Sequence, residues 1–372
     1  MVKRRALCWH RILVGMVAVA ILGMGCAADD GGDETGAEST ASSAEDGPAD
    51  EADTDGGEAG DDAADQDAAT DEADDGSAAA EVTLADATGT EVTVPVTDQG
   101  VYALDGAVAI QLLALGVVPD AMGTWIQDLA AQEVAAAAGT ELLDYPGNEP
   151  PMETIAAGDP QLILGVGHPF NTAAAPQLQA IAPTFVIDFG APWQEQLRAV
   201  GDATGRAEEA EVIITRIAER TAEVAVLVEE SGRAGESVSI IGNRNGAPVA
   251  FAANSLAHQI LAELGFTRPE PQDVDGTPPF PAVLFSEEQL ADHEADIVVE
   301  MTGDVFGPDL LTESPLLDTS DSEVALVYGQ PWGTSSPLGA WTILTDVERL
   351  LAGEPLTTAD DGATLFAELT GR

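Results

Sequence analysis

The side chains that could do chemistry in this chain are few. Of four histidines, only His168, His258 and His293 lie beyond the N-terminal apolar run, so a three-histidine metal centre would need all of them. The two cysteines are Cys8 and Cys26, which leaves no cysteine nucleophile in the body of the chain. There is no Gly-x-Ser-x-Gly elbow and no phosphate-binding Gly-rich loop, and Gly165-Val166-Gly167 lacks the third glycine of a dinucleotide fingerprint. No catalytic residue and no metal ligand set is therefore assigned, and the chain is not expected to be an enzyme. What remains suits binding: His168 in Gly-Val-Gly-His-Pro-Phe, Trp125, Arg244 and Trp332, each just past the carboxyl end of an expected strand. An arginine there can grip a carboxylate or another anionic oxygen, and indole rings add contact area at low entropic cost. The alternatives are core packing for the tryptophans and a surface ion pair for Arg244. His258, inside an expected helix, and His293, in a polar stretch, read as structural.

Those four positions need strands to present them. Residues 81–95 alternate about Asp86-Ala87-Thr88-Gly89 and predict a hairpin. Strands are expected at 101–104, 120–124, 161–165 and 184–188, with helices at 107–115, 150–157 and 173–181 between them. That is one α/β lobe. Residues 206–230 contain no Gly or Pro, and Ala210, Ile214, Ile217, Thr221, Val224 and Val228 recur at helical spacing, predicting one helix of roughly 37 Å. It is either a surface helix of a single domain or a strut between two lobes. The α/β pattern then restarts: strand 237–241, helix 255–264, a Pro-rich loop over 269–281, helix 286–291, strands 297–301 and 324–328, and helix 338–351. The expected fold is α/β, with two Rossmann-like lobes joined by one long helix and a ligand cleft between them, where open α/β sheets bind.

Charge excludes other classes. The chain carries 13 basic against 66 acidic residues among 372, a formal net charge of −53, which leaves no basic surface for nucleic acid. Lys3, Arg4, Arg5 and Arg11 precede an uncharged run over 12–25, the pattern of a secretory signal too short to span a bilayer comfortably. Residues 27–80 hold 20 acids and no base or aromatic, a composition that cannot bury enough apolar surface to order itself. The division read from sequence is thus signal 1–25, acidic tether 26–80, first lobe 81–205, connecting helix 206–231 and second lobe 232–372. Beyond residue 80 there are 46 acids and nine arginines, no lysine, and such a surface repels itself unless salt screens it.

Ile-Leu-Gly-Met-Gly-Cys at 21–26 resembles a bacterial lipobox, with Gly23 where Leu is usual and Leu22 one place further back; the resemblance implies a lipid on Cys26. The body of the chain resembles the solute-binding lipoproteins of ABC importers, in the group that binds ferric siderophores and cobalamin. The resemblance covers roughly 81–355. It is carried by Thr83-Leu84-Ala85-Asp86-Ala87-Thr88-Gly89, by Leu112-Leu113-Ala114-Leu115-Gly116-Val117-Val118-Pro119, and by Met152-Glu153-Thr154-Ile155-Ala156-Ala157-Gly158-Asp159-Pro160-Gln161-Leu162-Ile163-Leu164. Further carriers are Ile181-Ala182-Pro183-Thr184, Leu261-Ala262-Glu263-Leu264-Gly265-Phe266, Ser286-Glu287-Glu288-Gln289-Leu290 and Ser336-Pro337-Leu338-Gly339-Ala340. Relatives usually have Lys-Pro-Asp where this chain has Asp159-Pro160-Gln161.

The resemblance implies two lobes about one long helix with limited closure on binding. It implies docking onto arginines of the membrane permease through one glutamate per lobe, Glu153 and Glu288, with Glu287 as the alternative to the latter. It also places Trp332 at a position that commonly touches ligand. A cleft with one arginine and several aromatics suits a bulky iron chelate, and the histidine count disfavours bare metal ions. Catecholates or ferric citrate would want more than one cation, so a hydroxamate siderophore is preferred. No cofactor is expected, since iron would travel only inside the ferric siderophore. The expected protein is a monomer, lipid-anchored outside the cell membrane. Alternatives are capture of cobalamin or haem, and a surface receptor or adhesion lipoprotein without small-molecule cargo.

Overall fold

A computed structural model of the chain describes residues 80–372 apart from 125–127, 278–280, 304 and 308. The expected signal, tether and Cys26 lie outside the described residues, as does Trp125.

The chain opens with the hairpin β1 (Glu81–Ala85) and β2 (Glu91–Pro95), in register from Glu81 opposite Pro95 to Ala85 opposite Glu91. Asp86 closes its turn, accepting from the Thr88 and Thr90 amides at 2.8 and 2.9 Å. Then follow β3 (Val101–Ala103), α1 (Gly106–Ala114), β4 (Ala121–Gly123), α2 (Leu129–Ala138), β5 (Glu141–Leu143), α3 (Met152–Ala157), β6 (Leu162–Val166), α4 (Pro169–Leu178) and β7 (Thr184–Ile187). The five strands after the hairpin form one parallel sheet in the order β5-β4-β3-β6-β7. Buried on both faces, β6 reads Leu-Ile-Leu-Gly-Val without alternation. The strand order reverses between β3 and β6.

Helices α5 (Trp193–Thr204) and α6 (Ala207–Ser231) carry the chain onward. Helix α6 spans the expected segment and ends at Gly232 in the left-handed conformation. Its buried stripe is Ala210, Ile213, Ile217, Thr221, Val224 and Val228. Ile213 takes the place expected for Ile214, which packs at the edge of the same core, because a helix lying against α5 on one side and the later helices on the other buries a stripe wider than one row.

The second lobe contains β8 (Val238–Arg244), β9 (Ala247–Phe251), α7 (Leu256–Glu263), β10 (Ala282–Leu284), β11 (Ile297–Thr302), β12 (Glu323–Tyr328), α8 (Gly329–Gly333), α9 (Pro337–Ala352) and α10 (Gly362–Thr370). Its sheet has the order β10-β9-β8-β11-β12. Strands β8, β11 and β12 are parallel, whereas β9 runs against both β8 and β10. The two α/β lobes joined by one long helix are as the sequence predicts. The hairpin β8–β9 is not among the predicted elements. Its signal is Asn245-Gly246, both with positive φ (55° and 77°), the combination that a tight two-residue hairpin turn requires. The C-terminal helix α10 returns to the first lobe: Gly362 packs on Ala130 of α2, and the Arg372 guanidinium donates to the Ala114 carbonyl at 3.2 Å.

Candidate ligand cleft

In each sheet one pair of neighbouring strands leads its connections to opposite sides: β3 and β6 in the first lobe, β8 and β11 in the second. Loops leaving such a point diverge and leave a crevice. His168 follows β6 and Arg244 ends β8, so the expected binding residues stand at the reversal point of their own lobes.

His168 is the N-cap of α4. Its Nδ1 accepts a long hydrogen bond from the Phe170 amide at 3.4 Å, which puts the neutral ring's proton on Nε2. The ring lies 5.0 Å from that of Phe170. Burial, and after it the positive charge of Arg244, hold the imidazole below its ordinary pKa. The charge of Arg244, on the second lobe, is thus felt at His168 on the first. Burial also draws the Arg244 guanidinium below its usual value, though an arginine stays charged throughout the physiological range. Arg198, Arg206, Arg220, Arg233, Arg268 and Arg349 are committed to carboxylates elsewhere.

The turn that carries His168 is fixed from beneath by a group that the sequence reading missed. Asp105, fully buried, caps α1 by accepting from the Val108 amide at 3.0 Å and reaches across to the Val166 amide at 3.0 Å and the Asn171 side-chain amide at 2.8 Å. Asn171 donates in turn to the Val166 carbonyl at 3.0 Å. Burial pushes the Asp105 carboxyl's pKa up while these donors pull it down. Asp105-Gly106 at a strand-to-helix junction is the available signal, because Asp is a preferred N-cap.

Between the lobes lies a pocket walled by Phe189 and Pro192 from the first lobe and by Asn254, Ser255, Gln259 and Pro281 from the second. Asn254 shapes its rim by accepting from the Gly276 amide at 2.8 Å and donating to the Gly276 carbonyl at 3.0 Å. Further back, Gln272 satisfies every side-chain group at once. Its Oε1 accepts from the Ile240 amide and from His258 Nε2, both at 3.0 Å; its Nε2 donates to Ser239 Oγ at 2.7 Å and to His293 Nδ1 at 3.0 Å. His258 and His293 are thus internal struts, and burial holds both pKa values down, that of His258 to about 4. Among the described residues no cluster of three or more His, Cys, Asp or Glu could hold a metal ion, and no helix is long and apolar enough to cross a membrane.

Trp332 requires a correction. It is 3% exposed, its indole N–H donates to Asp346 Oδ2 at 2.8 Å, and it lines a small apolar cavity in the second lobe. Asp346 also accepts from the Thr357 amide and hydroxyl at 2.7 and 3.0 Å. The ring therefore ties α8 to α9 rather than facing the cleft; a buried indole takes the position where its N–H finds a partner.

Glu153 and Glu288 are both exposed, each in the first turn of its segment: α3, and the 3₁₀ turn Glu287–His293. Each segment crosses between strands that run the same way, so its amino end lies at the carboxyl edge of the sheet, the edge where the cleft opens. Glu288 is held below the usual carboxylate range by its own backbone amide and the Ser286 hydroxyl.

The sequence profile of periplasmic binding proteins matches residues 101–318. Among curated proteins, the probable siderophore-binding lipoprotein YfiY of Bacillus subtilis (strain 168) is 26% identical over 235 residues, 61% of this chain and 70% of YfiY. Among solved structures, Staphylococcus aureus SirA complexed with staphyloferrin B superposes with a TM-score of 0.62 at 19% identity, over 73% of this chain and 98% of SirA. FhuD2 from Staphylococcus aureus with bound ferrioxamine B does so with a TM-score of 0.57 at 17% identity, over 68% of this chain and 98% of FhuD2. At these identities the two structures establish a shared fold.

Proposed function

The chain belongs to the periplasmic binding protein family, and from that premise we propose that it is the extracytoplasmic binding component of an ABC importer, capturing a ferric siderophore for delivery to the membrane permease. The observation that carries this reading is the placement of His168 and Arg244 at the strand-order reversal points of the two lobes, with the charge of Arg244 felt at His168; a pocket between the lobes supports it. The reversal points supply one permanent cation, an imidazole N–H donor and the Phe170 ring, and the interlobe pocket adds the Phe189 ring and the amides of Asn254 and Gln259. This set can hold a bulky chelate by shape and a few charge-assisted hydrogen bonds, and it lacks a paired nucleophile and base. Trp125 is proposed as a further wall of the same cleft.

The siderophore-binding name of YfiY and the ferrioxamine B bound in FhuD2 support the cargo class. A single cation in a chain of net charge −53 favours a neutral or cationic hydroxamate complex over a polyanionic one. The protein acts as a monomer held to the outer face of the cell membrane by a lipid on Cys26, with the acidic segment 26–80 as its tether. Glu153 and Glu288 are the two docking points for arginines of the permease.

The test is a titration of the protein in high salt with ferrioxamine B, a ferric catecholate, ferric citrate and cobalamin, following tryptophan fluorescence. Saturable quenching by ferrioxamine B at submicromolar concentration is expected. Saturation by cobalamin alone moves the cargo to that class, and no response from a folded protein refutes the reading.

A further inference from the structure

Phe306 lies in the connection that leaves the carboxyl end of β11, and it is 7% exposed. Its ring is 6.5 Å from that of Phe251. Two glycines make room for it: a Cβ on Gly242 of β8 would stand 2.8 Å from the Phe306 ring, and one on Gly329, the first residue of α8, 2.5 Å from it. Any side chain at either position would displace the ring. The ring is thus wedged across the ends of β8 and β12.

The backbone of the same residue is joined to Arg244. Phe306 donates to the Gly303 carbonyl at 2.7 Å, Gly307 donates to the Asn243 carbonyl at 2.6 Å, and Phe306 and Arg244 face each other as an isolated antiparallel bridge. On its other side Arg244 pairs with Ala247 across the Asn245-Gly246 turn. The tip of the β8–β9 hairpin would otherwise end in a free turn. The wedged ring anchors a third backbone segment against it.

We propose that Phe306 is a positioning residue: its ring, seated where Gly242 and Gly329 leave space, fixes the backbone of Arg244 and so the point from which that guanidinium meets an anionic oxygen of the cargo. The inference rests on the reading of Arg244 as the cleft's cation. Its physical basis is preorganisation. A long side chain projecting from a mobile turn loses more freedom on binding than one projecting from a fixed strand, and the difference appears as lost affinity. Nothing in Phe306 itself has to touch the cargo.

The test is a double-mutant cycle read by titration with ferrioxamine B, using the wild-type protein, Arg244→Ala, Phe306→Ala and the double variant, with the urea midpoint of each recorded in parallel. Each single change is expected to weaken binding about tenfold or more, and the double variant to bind no more weakly than Arg244→Ala alone, since residues acting through one another are not additive. Phe306→Leu, which refills most of the wedge, is expected to recover most of the affinity. Should Phe306→Ala fail to fold, Gly329→Ala, which pushes the ring out, enters the cycle in its place. A loss from the position-306 change that adds in full to that of Arg244→Ala overturns the inference and leaves the cleft reading standing, as does unchanged affinity in Phe306→Ala. Unchanged affinity in Arg244→Ala overturns both.

Discussion

The buried Gln272 network makes folding stability depend on pH in a calculable way. Its orientation is not free: the Ile240 amide can only donate, so Gln272 must turn its oxygen that way, toward His258 Nε2–H, and its NH₂ toward His293 Nδ1. A proton on His293 Nδ1 would face another donor, and flipping the amide would only move the conflict to Ile240. His258 has a folded pKa of about 4, mainly through burial, against roughly 6.5 in an unfolded chain. The unfolded state therefore binds this proton first. The stability contributed by the neutral ring is complete above pH 6.5 and is lost as the pH falls from there toward 4. A gap of roughly 2.5 pH units at 1.36 kcal/mol each amounts to about 3 kcal/mol. The comparison is between wild type and His258→Gln, whose amide can still donate to Gln272, by urea denaturation at fixed ionic strength from pH 7.5 to 4. His293 acts in the same direction, whereas Asp105 and Asp346, with raised pKa values, act in the opposite one, and all three are common to both proteins. The wild type should lose about 3 kcal/mol more than the variant across that window. Parallel curves would show that His258 does not carry this pH dependence.

Three further outcomes follow from the described geometry. Glu153→Ala combined with Glu288→Ala should abolish most siderophore uptake by cells while leaving ferrioxamine B affinity in vitro within about twofold, because exposed charges that steer docking do not shape the cleft; normal uptake would remove both glutamates from the docking surface. Trp332→Phe should cost about 1–3 kcal/mol in urea denaturation, since the buried Asp346 carboxylate loses a donor, with no change in ferrioxamine B affinity; a selective loss of affinity would return Trp332 to the cleft. Finally, with 46 acids against nine arginines beyond residue 80, the protein should be more stable in 1 M than in 10 mM sodium chloride, because salt screens repulsion between exposed charges; equal urea midpoints would show that this repulsion is already balanced.

The lobes and the long helix were legible because their signals are local. Helix α6 lacks Gly and Pro and repeats its apolar residues at helical spacing, and β6 is an unbroken apolar run short enough to be a strand. Helices α2 and α5 were missed for equally local reasons. The first is Leu-Ala-Ala-Gln-Glu-Val followed by four alanines, with almost no large side chain to mark a face, and the second carries Gly201 near its end. The Asn245-Gly246 turn is a local signal for the β8–β9 hairpin, and that hairpin extends β8 to Arg244, three residues beyond the expected strand end at Ile241.

Which polar groups are desolvated is a different kind of information. Among 66 acidic residues, Asp105, Glu300 and Asp346 are each at most 2% exposed, and although a helix cap or an apolar strand around them hints at burial, the chain does not show which groups satisfy them. Their partners lie elsewhere. Asp105 is held 61 and 66 residues away by Val166 and Asn171; Glu300 accepts from the Leu311 and Thr312 amides across a turn; Asp346 joins Trp332 to Thr357. Burying a carboxylate is tolerable only when such donors converge on it, and convergence is a property of the folded topology, not of spacing. The same holds for aromatic side chains. Trp332 after β12 and His168 after β6 have the same sequence credentials as cleft residues, yet a carboxylate fourteen residues further on draws the indole into the core, while the imidazole caps the helix that begins at the strand end. A strand-end rule therefore points to a candidate cleft, but which side chains turn into it depends on where the nearest buried hydrogen-bond partner lies.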